Sequence, residues 1–245
     1  MPSKPQWKGH RRAERRQDAR SLRQLRPALD HRNNSWPPRP PCIDAPDEVG
    51  LEYEDVTFPS LDGVPLEGWF VPANSNRLII HNHFLPGNRY GYPGHLPEFG
   101  GLGGFEVNFL PPEYKALHDA GYNVLAYDIR NHGMSGQGNG GITGIGLTEY
   151  RDVIGSLRYA AARPDTKNMK KALLSVCLGA DSTAVAWSKH PKEFSEIQAM
   201  VMLQPFRRST SSRSSSRASA WKTATRSLTP QSTNAPGFTW PNSRR

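Results

Sequence analysis

The chain has 245 residues, of which 36% are hydrophobic, so it is long enough to form one sizeable domain with tails. Its net charge of +9 comes from its ends, because residues 1–41 and 207–245 each carry +8 while residues 42–206 carry −7. The acidic middle excludes a basic nucleic-acid surface there, and no apolar run reaches the length of a signal-peptide core or a membrane span.

The two cysteines, Cys42 and Cys177, are too few for a disulfide framework and fit a reducing compartment. We therefore expect a cytoplasmic protein that needs neither a membrane nor a nucleic acid as partner. The Arg-rich, acid-poor start is loosely similar to a mitochondrial presequence, which makes a mitochondrial location the alternative.

The two ends of the chain differ in character from its middle. Residues 11–29 are predicted to form a helix, and the prolines of the SWPPRPPC stretch (35–42) then indicate a linker. The Ser/Arg-rich residues 207–245 have no periodicity and too little apolar surface to order themselves. We therefore predict a basic arm and linker over 1–44, a domain over 45–206 and a disordered tail over 207–245.

The predicted elements of the middle alternate. From Glu52 the pattern predicts two strands joined by a hairpin at Asp62-Gly63. Apolar strands are then predicted over 77–81, 123–128, 172–175 and 197–203, and helices over 112–120, 150–161 and 179–190. Strands without in–out alternation, separated by helices, are typical of a mostly parallel sheet with helices on both faces. The predicted fold class is α/β.

The last predicted strand has no later strand to pair with. Its residues Ala199 to Leu203 are all apolar, so they would form an unprotected sheet edge. Such edges favour pairing between molecules. We expect self-association through this edge.

The pentapeptide SVCLG (175–179) follows a predicted buried strand and precedes a predicted helix. A strand, a sharp turn holding a nucleophile and a helix form a nucleophile elbow, in which small residues flank the nucleophile by two positions. Cys177 occupies the nucleophile position, and the N-terminus of the following helix would stabilise its thiolate. The backbone amides of Leu178 and Phe84 are the predicted oxyanion donors.

Two other interpretations of this stretch stay open. In the first, Cys177 is a small buried core residue, as free cysteines often are. Ser182, one turn into the helix, is the second candidate nucleophile, although it would lie below the top of the sheet.

The stretch NVLAYDIRNHGMSGQG (123–138) combines a strand that ends in Asp with an Arg, a His-Gly and a Ser-Gly pair, at Asp128, Arg130, His132-Gly133 and Ser135-Gly136. Together with the loop LIIHNHFLPGNRYGYPGHLP (78–97) and the elbow, it resembles the α/β-hydrolase superfamily. The resemblance covers residues 50–206. It is strongest to little-studied bacterial and fungal members that share the NRYGYPGH-like loop.

The resemblance implies an α/β-hydrolase fold and acyl transfer to water from a small ester, thioester or lactone. Similar proteins occur in fungal secondary-metabolite clusters, including clusters for plant toxins, and a cysteine nucleophile is similar to that of dienelactone hydrolases. A peroxisomal location is implied by analogy, although the chain ends in Asn-Ser-Arg-Arg and not in an S-K-L-type address.

The sequence departs from the superfamily pattern in two places. Ser175 replaces the first glycine of the elbow, and the triad order of nucleophile, acid and histidine is not followed, since no histidine comes after His190 and no acid after Glu196. A truncated or frame-altered, inactive member, incomplete at its C-terminal side, is therefore the alternative hypothesis. A nucleic-acid-binding protein that uses its basic tails is the second alternative.

The remaining histidines are candidate ligands or bases. His81, His83 and His95 suggest a metal site, but a strand-end pair bonded to loop carbonyls is the preferred interpretation. His132 lies in a loop that can approach Cys177, whereas the resemblance gives it a loop-shaping role beside Asp128. The glycine runs lack the strand–loop–helix context of a nucleotide site. We therefore expect neither a cofactor nor a metal.

Overall fold

The structure is a computed structural model that describes residues 39–205, without the side chain of Leu102. The predicted helix over 11–29 and the predicted tail over 207–245 lie outside the described residues. The domain boundaries at residues 45 and 206 stay predictions.

Eight strands and three α-helices form the described part. The strands are β1 Glu54–Pro59, β2 Pro65–Val71, β3 Arg77–Asn82, β4 Gly91–Tyr92, β5 Val107–Asn108, β6 Asn123–Tyr127, β7 Lys170–Val176 and β8 Ile197–Leu203. The α-helices are α1 Ala116–Asp119, α2 Tyr150–Ala162 and α3 Leu178–Lys189, and a π-helical segment, Leu110–Lys115, leads into α1. Short 3-10 helices cover Pro46–Val49, Pro97–Leu102, Asn139–Gly141 and Pro191–Phe194.

Six strands form one mostly parallel sheet in the order β1-β2-β6-β3-β7-β8. β1 pairs with β2 and β2 with β6 in antiparallel register, whereas β6, β3, β7 and β8 run parallel. β4 and β5 form a separate two-stranded ribbon. The predicted α/β class with four parallel strands is confirmed.

Both faces of the sheet are covered, which is why its central strands read as continuous apolar runs. In β6, Leu125 and Tyr127 face one core, which includes Val153 and Leu157 of α2. Val124 and Ala126 face the other core, which contains residues of the π-helical segment. All five residues of β6 are buried.

The predicted hairpin is present between β1 and β2. Ser60 accepts the Val64 N–H on its hydroxyl oxygen at 2.8 Å and donates to Asp62 at 2.7 Å. Gly63 has φ 85°, a left-handed conformation that glycine adopts without strain. The Asp-Gly pair thus has the role that the sequence indicated.

The helix predicted over 112–120 differs in the structure. It begins at Leu110 as a π-helical segment, and only Ala116–Asp119 is α-helical. Pro111 and Pro112 lack N–H donors, and the Phe109 carbonyl instead accepts the N–H groups of Glu113 at 3.2 Å and Tyr114 at 2.9 Å. Two prolines at the start therefore widen the first turn.

Within residues 39–205, the helices are too short or too polar to cross a bilayer. This finding agrees with the sequence, in which no apolar run reaches the length of a membrane span.

β8 is an edge strand of the described sheet, since it pairs with β7 on one side only. Its side chains are poorly covered: Val201 is 50% exposed and Leu203 is 49% exposed. The strand has neither a charge nor a proline that would discourage pairing with another chain.

We predict that the purified chain self-associates through β8. Val201→Lys should shift it toward the monomer, because a charge in the strand disfavours pairing of edges. Light scattering coupled to size exclusion measures the mass of both proteins. Thr57→Lys, which adds the same charge to exposed β1, is the control. A monomeric wild-type chain would contradict the prediction.

Candidate functional site

Cys177 occupies the turn between β7 and α3, as the sequence predicted. Its backbone has φ 49° and ψ −108°, a region that residues with a side chain rarely adopt. Its N–H donates to the Leu203 carbonyl at 2.8 Å, and its carbonyl accepts the Asp181 N–H at 2.9 Å. The turn is therefore held from both sides, and its thiol is partly exposed.

Gly179 explains why the turn is so tight. Its N–H donates to the His83 carbonyl at 3.1 Å, and a Cβ at this position would lie 2.2 Å from the Asn82 carbonyl oxygen. Only glycine lets the first turn of α3 approach the end of β3 so closely. This contact brings the Cys177 turn to the loop that begins at Phe84.

Ser175, which replaces the first glycine of the elbow, has a structural role. Its hydroxyl accepts a hydrogen bond from Asn82 Nδ2 at 2.8 Å and lies 2.9 Å from Thr183 Oγ1. The Tyr127 hydroxyl donates to Asn82 Oδ1 at 2.6 Å. A buried polar network under the elbow thus accommodates the hydroxyl.

The two predicted oxyanion donors flank the contact between α3 and β3. Leu178 is the first residue of α3, so its N–H has no acceptor within the helix. Phe84 follows the carbonyl that receives the Gly179 N–H, and its side chain is buried against Phe109, with ring centroids 5.7 Å apart. Both amides thus belong to residues that adjoin the same contact.

His83 joins the loops after β3 and β6. Its Nε2 accepts the Ile129 N–H at 2.9 Å, so its proton is on Nδ1, which donates to the Phe84 carbonyl at 2.8 Å. Burial holds the pKa of His83 well below its ordinary value. The preferred interpretation of a histidine bonded to a loop carbonyl fits this residue.

His132 lies against His83, with ring centroids 5.3 Å apart. Its Nδ1 donates to the Arg130 carbonyl at 2.8 Å, and its buried Nε2 has no hydrogen-bond partner among the described residues. Burial lowers its pKa, so the ring is neutral at neutral pH. His132 therefore presents a lone pair on Nε2.

Asp128 is committed to shaping the loops. Its carboxylate accepts from the Arg89 N–H at 2.8 Å, the Arg89 guanidinium at 2.9 Å and the Met134 N–H at 2.7 Å. A Cβ on Gly133 would lie 2.2 Å from this carboxylate, which explains the glycine after His132. Asp128 is fully buried and accepts three hydrogen bonds on its carboxylate.

Two carboxylates that sequence reasoning missed hold Arg130. Its Nε donates to Asp152 at 2.9 Å and its Nη1 to Asp62 at 3.0 Å. These partners lie 22 and 68 residues away in the chain. The hairpin turn, the loop after β6 and α2 are thereby joined through one buried guanidinium.

Ser182, the second candidate nucleophile, is buried within α3. Its hydroxyl donates to the Leu178 carbonyl at 2.7 Å. It is thus occupied by its own helix.

His81 and His95 do not meet His83 as metal ligands. His81 contacts Tyr114 and Glu113, and the exposed His95 lies 3.0 Å from Glu106. No group of three His, Cys, Asp or Glu side chains able to hold a metal ion occurs in residues 39–205.

His81 forms a buried chain of polar contacts. Tyr114 donates its hydroxyl proton to the Arg89 carbonyl at 2.7 Å, so it accepts from His81 Nδ1 at 2.8 Å. The other ring nitrogen, Nε2, lies 3.1 Å from a Glu113 oxygen. Burial lowers the pKa of His81 to about 3 and raises that of Glu113 to about 7.

A cavity of about 360 Å³ lies away from the elbow. It is lined by Lys171 and Ile197, at the beginning of β7 and β8, and by charged residues that include Glu193. Cys177 follows the opposite end of β7. The cavity is therefore not part of the candidate site.

The chain is similar to a solved esterase and to a protein described as uncharacterised. The esterase Pf2001 of Pyrococcus furiosus is 26% identical, with a TM-score of 0.55 over 69% of this chain and 56% of the esterase. In a second crystal form the values are 27%, 0.52, 67% and 56%. The protein YfhR of Salmonella typhi is 27% identical over 141 residues, which are 55% of this chain and 40% of YfhR.

No protein-family model matches the chain. The chain spans about half the length of these relatives. It is nevertheless structurally related to the α/β-hydrolase superfamily, as the residues around Asp128 and Cys177 had indicated.

We predict that Cys177→Gly raises the free energy of unfolding by about 1 kcal/mol, because glycine adopts a positive φ without strain. Cys177→Ser keeps the strained backbone and the size of the side chain, so its stability should stay near that of the wild type. Urea unfolding of the three proteins measures the difference. A glycine variant no more stable than the serine variant would show that the turn is unstrained.

A second prediction concerns pH. The raised pKa of Glu113 favours the folded state below pH 4.5, and this contribution is lost as pH rises to about 7. The lowered pKa of His81 has the opposite effect between pH 6.5 and 3, so the two slopes oppose each other in the wild type. Glu113→Gln removes the first effect alone.

The stability of Glu113→Gln relative to wild type should therefore increase by about 1–2 kcal/mol from pH 4.5 to pH 7. Urea unfolding at several pH values tests this. Glu106→Gln, which removes a more exposed carboxylate, is the matched control. A stability difference between Glu113→Gln and wild type that does not vary with pH would show that the pKa of Glu113 is not raised in the folded state.

Proposed function

We propose that the protein is an acyl hydrolase of the α/β-hydrolase type, acting on an ester, thioester or lactone through Cys177. The observation that carries the proposal is the backbone of Cys177, held at φ 49° between β7 and the N-terminus of α3. Strained residues of this kind persist where the surroundings fix them, and they cluster at active sites. The relationship to the esterase Pf2001 supports the same class of reaction.

The proposed first step is acylation. The Cys177 thiolate attacks the carbonyl carbon, a sulfur–carbon bond forms, and the leaving group departs with the electron pair of the broken bond. Negative charge develops on the carbonyl oxygen, where the amides of Leu178 and Phe84 are proposed to donate. The helix N-terminus favours this oxyanion.

The other cysteine of the described part is chemically different. Burial raises the pKa of the Cys42 thiol to about 12, so it remains protonated at neutral pH. A protonated thiol is a much poorer nucleophile than a thiolate. Cys42 is therefore an internal control for the reactivity of Cys177.

The proposed second step, hydrolysis of the acyl-enzyme, needs a base to activate water. Within residues 39–205, His83 uses both ring nitrogens in other hydrogen bonds, and the free Nε2 of His132 forms none with the Cys177 thiol. His190 follows α3 and stacks on Tyr150, with ring centroids 5.8 Å apart, so it lies at the end of α3 opposite Cys177. We therefore propose that acylation outpaces hydrolysis. We propose that the natural substrate is a small acyl compound. The resemblance implies that this compound belongs to the biosynthesis of a fungal secondary metabolite.

We expect a burst of about one equivalent of p-nitrophenolate from p-nitrophenyl acetate, followed by slow turnover. Stopped-flow absorbance measures the burst, and peptide mass spectrometry should locate the acetyl group on Cys177. Cys177→Ala should abolish the burst and Cys42→Ala should leave it unchanged. A burst that survives Cys177→Ala, or no burst in the wild type, would refute the proposed function.

A further inference from the structure

The large apolar side chains that are exposed in the described part are concentrated at two places. Those at the sheet edge are Val201 and Leu203 of β8. The others lie in the connections that follow β3 and β6, at the carboxyl edge of the sheet: Phe105, Met134, Ile142, Ile145 and Leu147. Three of them, Ile142, Ile145 and Leu147, lie within six residues of one loop. Contiguous exposed apolar groups mark binding surfaces.

Ile145 is the most unusual of these residues. It has φ 48°, although a β-branched side chain makes a positive φ unfavourable. Its neighbours on both sides are glycines, Gly144 and Gly146, which adopt such conformations without strain. The chain thus holds an isoleucine, 46% exposed, where a glycine would fit better. The requirements of the fold alone therefore do not explain why this residue is an isoleucine.

The loop that presents Ile145 is held firmly from below. The buried Glu149 carboxylate accepts the Gly144 N–H at 2.7 Å and the Gly146 N–H at 2.9 Å. Two charge-assisted hydrogen bonds, one on each side, fix the backbone around Ile145. The side chain is consequently presented by a rigid loop.

This loop lies against the first turn of α3. A Cβ on Gly146 would come within 2.8 Å of the Asp181 carbonyl carbon, so the two backbones are in contact. The Asp181 N–H donates to the Cys177 carbonyl at 2.9 Å. The loop that carries Ile145 therefore packs against the helical turn that begins at the candidate nucleophile.

The loop that carries Ile145 contains no charged residue of its own. Residues 131–148 contain no Asp, Glu, Lys or Arg, and burial keeps the His132 ring neutral by lowering its pKa. A charged acyl group would lose hydration against Ile142, Ile145 and Leu147, because these side chains offer no counter-ion. An apolar one would instead be removed from water by Ile142, Ile145 and Leu147.

We propose that Ile145, together with Ile142 and Leu147, binds the apolar acyl chain of an uncharged ester or thioester. This inference rests on the proposed function, because it assigns the chain of the acyl group that Cys177 accepts. In the acylation step the sulfur–carbonyl carbon bond forms and the leaving group departs with the electrons of the broken bond. The acyl chain stays on the loop throughout.

The experiment compares burst rates for p-nitrophenyl butyrate, p-nitrophenyl octanoate and mono-p-nitrophenyl succinate, each divided by the rate with N-acetylcysteine. Partial burial of four methylenes should make octanoate about tenfold faster than butyrate. Succinate, similar in length to butyrate but anionic, should be slower than butyrate. These ratios cancel the intrinsic reactivity of the esters.

Ile145→Gly separates binding from folding. It should reduce the octanoate preference to about threefold while raising the melting temperature, since glycine relieves the strained backbone. Val201→Ser, which alters an equally exposed apolar residue on β8, should leave the preference unchanged. If Ile145 had only a structural role, a variant with a higher melting temperature would not lose its preference for octanoate.

Equal normalised rates for the three esters, or an octanoate preference that survives Ile145→Gly, would overturn the inference while the proposed function stands. So would a change in molecular mass in Ile145→Gly without a change in preference, because the patch would then bind a second copy of the chain. Absence of a Cys177-dependent burst with every ester would overturn the proposed function itself.

Discussion

The close approach of the first turn of α3 to the end of β3 is the constraint on which the carboxyl edge of the sheet depends. It is possible because Gly179 has no Cβ to meet the Asn82 carbonyl. A helix that starts so near the sheet requires a sharp reversal after β7, and Cys177 makes this reversal with a positive φ. The position of the thiol, the position of the Leu178 N–H at the start of the helix and the proximity of Phe84 are all consequences of that one contact.

The loops above this contact are held by buried polar groups as well as by apolar packing. Connections at the end of a parallel sheet leave backbone N–H groups without sheet partners, and buried N–H groups need acceptors. His83 accepts from Ile129, Asp128 accepts from Arg89 and Met134, and Glu149 accepts from two glycines. Each acceptor reaches a different part of the same edge, so the loops form one connected structure.

The sequence predicted the fold well because the fold rests on local patterns. The apolar runs of β3, β6 and β7, the Asp62-Gly63 turn and the small residues around Cys177 each act over a few positions. The pattern from Asp128 onward further identified the superfamily, which the relationship to solved esterases supports.

The polar partners could not be predicted in the same way. Arg130 binds a carboxylate 68 residues away, and His81 meets Glu113 only because two prolines widen the turn before α1. Nothing in the local sequence distinguishes Asp152 or Glu149 from a solvated acid on a helix, since their burial is decided by the packing of distant segments. Ser175 looked like a departure from the elbow pattern for the same reason: its partners, Asn82 and Thr183, come together only in the fold.

Backbone strain gives an independent view of where the described part is specialised. The non-glycine residues with positive φ in this part are Asn131, Asn139, Ile145, Cys177 and Gln204, and all follow the carboxyl end of a parallel strand. Asparagine tolerates this conformation, but isoleucine, cysteine and glutamine adopt it at a cost in free energy. Two of the three costly residues, Ile145 and Cys177, adjoin the first turn of α3, one in the loop against Asp181 and one in the turn before it. Backbone strain in the described part is therefore found on both segments that contact the start of α3, where the proposed nucleophile lies.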